Sequence, residues 1–517
     1  MAQRMKKTEV TTTAPSVEKK QPTANEMREW YAKNQKHIEN YASAEQAAKS
    51  LKDVTKNGAK VVSAFSKDSL RTYLQNIGSN AKNLRNLSRY LFYRCHAYYR
   101  WVMYNATMFD LSCRSVIPKY DLVKGGDAQK MLKSYYSTLT VLDELNLQYE
   151  FLKALTIAFR EDIFYGCAYY TEGEGMFILP LDPDYCSISG IFNDSSYGFS
   201  MDMSYFRSRA FELEIWGEPF QSMYRAYESS SIKFQPMPPE YAVCLKSRPE
   251  TWDLELPVAS GLLNSIIGLI DVEDIQAIAD AEEIYKMLWI ELQTIGNDTD
   301  DWKIDPSLVV EYFNRMVNEA LPDYVSAAIV PGKLESVSFD SNKADEVNKI
   351  SKNTAALFAS SGGSQVLSAS NITGTTGFTA AIQADTEFAL SALLPQIQAT
   401  TNRLLSFYVG GKDVAKVKFF EVSVYTKETF KKGLLEGATY GTPTILAYNA
   451  CNQFSELETL SLNFLETECL DLHSKFIPVQ SSHTTAGTSD TGGAPTKDSD
   501  EISDEGEASR DKRERNG

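Results

Sequence analysis

The residues best placed to do chemistry are the acidic pair in Leu181-Asp182-Pro183-Asp184, which follows a strand-like run. Carboxylates at i and i+2 can share a divalent metal that activates water or holds a phosphate. The same phrase also makes an ordinary Asp-Pro turn, and neither a histidine nor a convincing third ligand stands near it. A second acidic set, Asp274, Glu282 and Glu283, lies in a helical pattern. A carboxylate-bridged metal pair there would need Glu-x-x-His, and no histidine is present, so a solvated helix face is the plainer reading. Gly410-Gly411-Lys412-Asp413 lacks both the spacing and the hydroxyl residue of a phosphate-cradling loop. Gly362-Gly363-Ser364 follows a helix rather than a strand, and no G-x-S-x-G nucleophile elbow exists. The histidines are His37, His96, His473 and His483, and the cysteines Cys95, Cys113, Cys167, Cys186, Cys244, Cys451 and Cys469 show no C-x-x-C spacing. Zinc binding and a histidine-based triad are thereby disfavoured, and the thiols read as reduced and buried. No cofactor is implied.

The elements around these residues alternate in type. Residues 1–24 are polar and read as disordered, and 25–57 as a polar helix. Residues 67–109 are helical and dense in aromatics, with Arg89, Arg94 and Arg100 among them. Aromatics interleaved with arginine can stack on bases. An amphipathic helix burying one aromatic face under arginine stems fits the spacing better. Residues 127–164 carry two helices. From Gly166 the pattern predicts a strand, a turn at Gly173 and Gly175, a second strand, the acidic pair and a third strand. Aromatic alternation predicts further β-structure over Phe206–Tyr227.

Residues 252–296 form the longest patterned stretch. Pro257 ends what precedes it, and helix is predicted from 271 to 295 with an apolar seam and acids between. A polar turn, a short helix from Asp305, a strand over 324–330, a turn at Pro331-Gly332 and a second strand follow, then a returning helix over 342–362. The chain thus goes out along one helix, makes a small α/β excursion and comes back along another. Small polar residues 368–379 predict a loop, and 380–409 a long helix kinked by Pro395. KVKFFEVSV is a strand by alternation, the segments after it are helical, and the chain ends in a tail of mixed charge.

At 517 residues and a net charge of -16, the chain can bury a sizeable core but offers no broad basic face for gripping nucleic acid. A negative wall suits a protein that encircles DNA without holding it. The longest apolar run, Leu262–Ile270, is too short to span a membrane, and no signal-peptide pattern opens the sequence, so a soluble protein is expected.

The order of elements resembles the portal (head-to-tail connector) proteins of tailed bacteriophages. The resemblance is carried by FREDIFYGCAYYTEGEGMFILPLDPDYCSI (159–188), by the apolar entry and long helix after Leu254, by the excursion and return, and by the glycine-rich segment before a kinked helix. It covers about 90–480. It implies a mixed α+β fold with an α/β wing, long-helix stem, small α/β clip, kinked tunnel helix and helical crown, assembled as a ring. The implied segments are a disordered tail (1–24), N-terminal helices and wing (25–253), outgoing stem (254–296), clip (297–341), return stem (342–362), tunnel loop and kinked helix (363–411), wing return (412–442), crown (443–479) and acidic tail (480–517). The implied role is a non-enzymatic channel at one capsid vertex of the virion, assembled in the host cytoplasm, through which double-stranded DNA is packaged and ejected. Implied partners are further copies in a ring, usually a dodecamer, the large terminase subunit, a head-completion adaptor, and the capsid and scaffold proteins. Asn371, Thr373, Thr375 and Thr376 would face the channel, and Asp274, Glu282 and Glu283 the stem lumen or a neighbouring subunit. Two alternatives stay open: a metal-dependent enzyme using Asp182 and Asp184, and a ring or scaffold protein that passes no DNA.

Overall fold

The computed structural model describes residues 21–38, 67–119, 127–251, 254–271, 352–358, 375–410 and 414–475, with Gly125 and short pieces between 287 and 330. Two units are distinguished, one ending at Thr459 and one beginning at Leu460.

In the first unit, α1 (Ala24–Ile38) starts at a reciprocal cap: Thr23 N donates to Glu26 Oε2 at 2.9 Å and Glu26 N to Thr23 Oγ1 at 3.2 Å. The aromatic-rich region forms α2 (Lys67–Gln75), α3 (Ile77–Arg94) and α4 (His96–Ala106). Phe92, Tyr98, Trp101 and Tyr104 are buried, Tyr98 stacks on Trp101, and the Arg160 guanidinium lies over Phe92. One aromatic face therefore packs inward, while Tyr93 and Tyr99 stay exposed. Strand β1 (Arg114–Ile117) precedes α5 (Ala128–Glu144), which Asp127 caps by accepting from Gln129 N at 3.0 Å. Then come α6 (Leu147–Glu161), β2 (Ile163–Thr171) and β3 (Gly175–Pro180). The predicted hairpin is present, with β2 starting three residues before Gly166.

Strands β4 (Cys186–Ile191) and β5 (Tyr197–Asp202) form the next hairpin. The β-structure expected over Phe206–Tyr227 is overturned: the chain there forms α7 (Ala210–Trp216) and α8 (Phe220–Ser230). Phe206, Trp216, Phe220 and Tyr227 point into one aromatic cluster, which a helix achieves by its 3.6-residue period as readily as a strand by alternation. Strands β6 (Phe234–Pro236) and β7 (Ala242–Lys246) complete two three-stranded antiparallel sheets, β3-β2-β7 and β4-β5-β6. A core rich in aromatic residues lies among them.

After a short 3₁₀ turn at Val258–Gly261, residues 263–271 are helical (α9). The unbroken helix expected to 295 is contradicted, because Met287–Glu291 is a strand, β8, paired in parallel with β9 (Ser326–Val330). Met287-Leu288-Trp289-Ile290 is a continuous apolar run, which periodicity cannot divide between helix and strand. Asp274, Glu282, Glu283 and most of 292–351 lie outside the described residues.

Residues 352–358 (α10) are helical, with Leu357 and Phe358 buried. Helix α11 (Thr375–Tyr408) begins five residues before the expected position and continues through Pro395. Thr375 and Thr376 therefore lie in its first turn rather than in a loop, and Asn371 and Thr373 lie outside the described residues. Strand β10 (Lys416–Phe419) pairs antiparallel with β1, some 300 residues earlier, Ile117 opposite Lys416 and Arg114 opposite Phe419. Helices α12 (Lys427–Thr439), α13 (Ile445–Cys451) and α14 (Glu456–Phe464) follow. In the second unit the end of α14 passes through a π-helical turn, Leu465–Cys469, to α15 (Leu472–Lys475). No described helix is long and apolar enough to cross a membrane.

Candidate functional site

The acidic pair after β3 is held by opposite charge. Asp182 caps the turn Pro183–Tyr185, accepting from Asp184 N at 3.0 Å. Asp184 meets Lys82 Nζ at 2.6 Å through one oxygen and Arg85 Nη2 at 2.5 Å through the other. Burial works to raise the Asp184 carboxyl, yet the hydrogen bonds from Lys82 and Arg85 hold it below its ordinary range. Burial raises Asp182. A carboxylate with both oxygens on cations is a poor metal ligand, so the metal-pair alternative finds no support in this geometry.

Arg85 reaches further. Its other terminal nitrogen pairs with Glu255, whose second oxygen accepts from Tyr165 Oη at 3.0 Å. The side chain of Arg85 is only 5% exposed. A cleft of about 520 Å³ opens beside it, lined by Ser79, Lys82, Asp184, Tyr185 and Glu255. Lys82 and Arg85 are balanced by Asp184 and Glu255, so the cleft offers neither a free anion nor a free cation site.

Two more ion groups lie behind this one. Glu161, fully buried at the end of α6, accepts from Arg89 Nε at 2.8 Å and Nη2 at 2.5 Å, and from Arg160 Nε at 2.9 Å and Nη2 at 2.5 Å. Asp162, the next residue, caps α6 with φ +78° and pairs with Lys246 at the end of β7, both side chains wholly buried. Asp162 also accepts from Arg248 N and Leu256 N, each at 3.1 Å. Lys246 Nζ donates to Leu254 O at 2.7 Å, and Arg248 Nη2 to Val258 O at 2.9 Å. These bonds fix the backbone of 254–258 by side chains from the sheet, while Glu255 is fixed from α3. The site is an ionic clamp on the segment that leads from the sheet into α9.

Helix α11 is locked to both neighbouring sheets by side-chain to backbone bonds. Gln396 exchanges two with Lys246, donating to its carbonyl at 2.8 Å and accepting from its amide at 2.9 Å. Arg403 donates to Pro239 O and Ala242 O near β7. Asn402 exchanges two with Val417, and Gln398 accepts from Phe419 N. The segment leaving the sheets and the helix returning to them are thus tied to the same residue, Lys246.

No family model matches this sequence, and no curated protein matches it. Among solved structures, a chain of the "Virion of native gene transfer agent (GTA) particle" is similar at TM-score 0.37 and 14% identity, covering 71% of this chain and 90% of that chain. A chain of the "Neck of empty GTA particle computed with C6 symmetry" is similar at TM-score 0.35 and 14% identity, with the same coverage. At such values these likenesses carry no argument.

The sequence singled out Asp182 and Asp184 and passed over Lys82, Arg85, Glu161, Asp162, Lys246, Arg248 and Glu255. A usable signal existed for Lys246 alone, a cation closing the apolar strand Ala242–Lys246. Apart from Arg160, which adjoins Glu161, the ion-pair partners stand 70 or more residues apart in sequence, and only the fold brings them together.

Proposed function

We propose that this chain is a portal-type structural protein: copies assemble as a ring, with a dodecamer expected, through which double-stranded DNA passes at a capsid vertex. The observation that carries this reading is the chain's course. It leaves a mixed α/β body at a clamped exit, enters a helix, forms a separate parallel pair (β8 and β9), passes another helix, and returns through α11 to pair β10 with β1. That course agrees with the body, stem, clip, tunnel helix and return order of the resembled family, and on this reading the clip would begin with the strand at 287–291 rather than after 296. A clamp at the exit suits a stem that must transmit load to a rigid body without shearing at its root.

On this reading Asp274, Glu282 and Glu283 face the lumen or a neighbouring subunit, and the segment around Asn371 and Thr373 lies by the DNA, with Thr375 and Thr376 opening its supporting helix. A channel of this charge lets phosphate slide instead of adhering. The clip would dock the large terminase subunit and later a head-completion adaptor; ATP hydrolysis belongs to the terminase, and this chain does no chemistry. The body would meet capsid and scaffold proteins. Native mass spectrometry and end-on electron microscopy of the purified full chain test the reading. A closed ring of about a dozen copies with an open centre is expected. A monomer or dimer that stays so when scaffold protein is added would sink it, and a ring with a closed centre would favour a scaffold that passes no DNA.

A further inference from the structure

Cys113 and Cys451 are nearly as far apart in sequence as the folded body allows, yet they share one small buried cluster with Val422. Neither is exposed, and Phe420, Phe430 and Leu434 pack around them. Helix α13 packs against strand β1, which brings the two cysteines into the same buried patch. Their backbones are held independently. Cys113 N donates to Asp110 O at 3.2 Å and its carbonyl accepts from Phe420 N at 2.9 Å, which sets it at the edge of the β1-β10 pair. Cys451 is the last residue of α13, whose final carbonyls are capped by Asn452 N. The charges beside the pair are themselves matched, Lys427 Nζ with Asp110 and Lys431 Nζ with Glu428, each at 2.7 Å.

We propose that Cys113 and Cys451 are a latent disulfide, an oxidation site that, once closed, bolts α13 to the root of the β1-β10 sheet. The neighbouring Cys451 side chain and burial push the Cys113 thiol up, while Cys113 beside it pulls Cys451 down. Cys451 is therefore the attacking sulfur, since the thiolate is the nucleophile. With hydrogen peroxide, an oxidant small enough to enter a packed site, the Cys451 thiolate attacks one peroxide oxygen. The O–O bond breaks and hydroxide leaves, giving a sulfenic acid. Cys113 then attacks that sulfur and forms the S–S bond. Its own proton and the displaced hydroxyl leave as water. Two thiols and one peroxide thus yield one disulfide and two waters. The bond closes most of the chain into a loop, the case in which a cross-link restricts the unfolded state most. Chains in a reducing compartment would stay open, and chains moved to an oxidising one would close. The inference is independent of the ring reading.

The test uses the full chain carrying C469S, because Cys469 is exposed and lies outside the pair. The protein is treated with hydrogen peroxide, alkylated while unfolded, digested without reductant and mapped by mass spectrometry. The expected result is a peptide containing Cys113 joined to one containing Cys451. A rise in melting temperature of roughly 5 °C should accompany it and vanish on adding dithiothreitol. In C113A the sulfenic acid should persist on Cys451 and be captured by dimedone, whereas C451A should leave Cys113 unmodified. If both cysteines remain alkylatable after peroxide, or either joins a different cysteine, the proposal is overturned. The map on the chain that retains both cysteines decides this even if neither alanine variant folds.

Discussion

Glu161 carries the highest stakes of any single residue, because two guanidiniums converge on a carboxylate with no exposure to water. Burial alone would raise it; Arg160 and Arg89 override that cost and hold it at about 2, against an ordinary value of 4.5. A carboxylate depressed on folding contributes stability that is whole above its unfolded value and is lost as pH falls through its folded one. Stability should therefore fall between pH 4.5 and about 2, and the fall should be shallower in E161Q. Urea titrations across that window measure it, and equal slopes in the two proteins would remove Glu161 from the explanation. At neutral pH, E161Q should lose about 3–5 kcal/mol, since it leaves the buried Arg160 and the half-buried Arg89 without their counter-charge. Gly175 is a second sensitive position, for a steric reason. Its φ is +85°, and a Cβ there would stand 2.5 Å from the backbone oxygen of Glu144. Backbone cannot swing aside as a side-chain tip can. G175A should cost at least about 2 kcal/mol in the same titration, and a neutral result would mean that the β2-β3 turn can relax away from α5.

At the scale of elements, the clamp around Lys246 makes a prediction that separates stability from anchoring. K246M would leave Asp162 buried without its counter-charge, at a cost of about 3–5 kcal/mol. Adding D162L removes the orphaned charge and should restore much of that loss. It cannot restore the bonds that Asp162 accepts from Leu256 N and Arg248 N, so those two amides should exchange at least about tenfold faster in the double variant while those of β2 and β3 stay protected. Uniform exchange across sheet and exit segment would show that the clamp anchors nothing. These contacts also mark where sequence reading stops. The β2-β3 hairpin was legible because Gly173 and Gly175 supply the turn conformation locally, and β10 because Lys416 and Lys418 alternate with buried Val417 and Phe419. Helices α7 and α8 were misread because Phe206, Trp216, Phe220 and Tyr227 reach one core from positions that mimic alternation. Strand β8 was misread because its partner β9 lies tens of residues downstream, and a parallel pair leaves no turn signal to find. Asp182 and Asp184 stand out in the sequence as an acidic pair, but the cations that claim Asp184, Lys82 and Arg85, come from α3, a helix that reads in sequence as aromatics with Arg89 and Arg94 among them.

At the scale of the whole molecule, the surface left over bears on assembly. Helix α12 has thirteen residues and none is buried. Its Leu435 is 50% exposed, and Tyr440, just past its end, and Ile445, which opens α13, are 89% and 74% exposed. Phe430 and Leu434 pack α12 against the body on one side, but three exposed apolar side chains close together at its C-terminal end ask for cover. In a ring, each subunit presents one face to the next copy and a different face to the one before, so such cover comes from a second copy of the chain. Y440D/I445D puts charge where only an assembled neighbour would exclude water. The isolated subunit should keep its stability within about 1 kcal/mol, because both side chains already face solvent. Its native mass should drop from ring to smaller species, and higher salt should not restore the ring, since the lost term is apolar burial plus desolvation of new charge. If Y440D/I445D forms rings of wild-type mass, the subunit contact lies elsewhere on the body. If wild type forms no ring while Y440D/I445D merely becomes more soluble, that surface is a docking face for a different partner, and the channel reading loses its assembly.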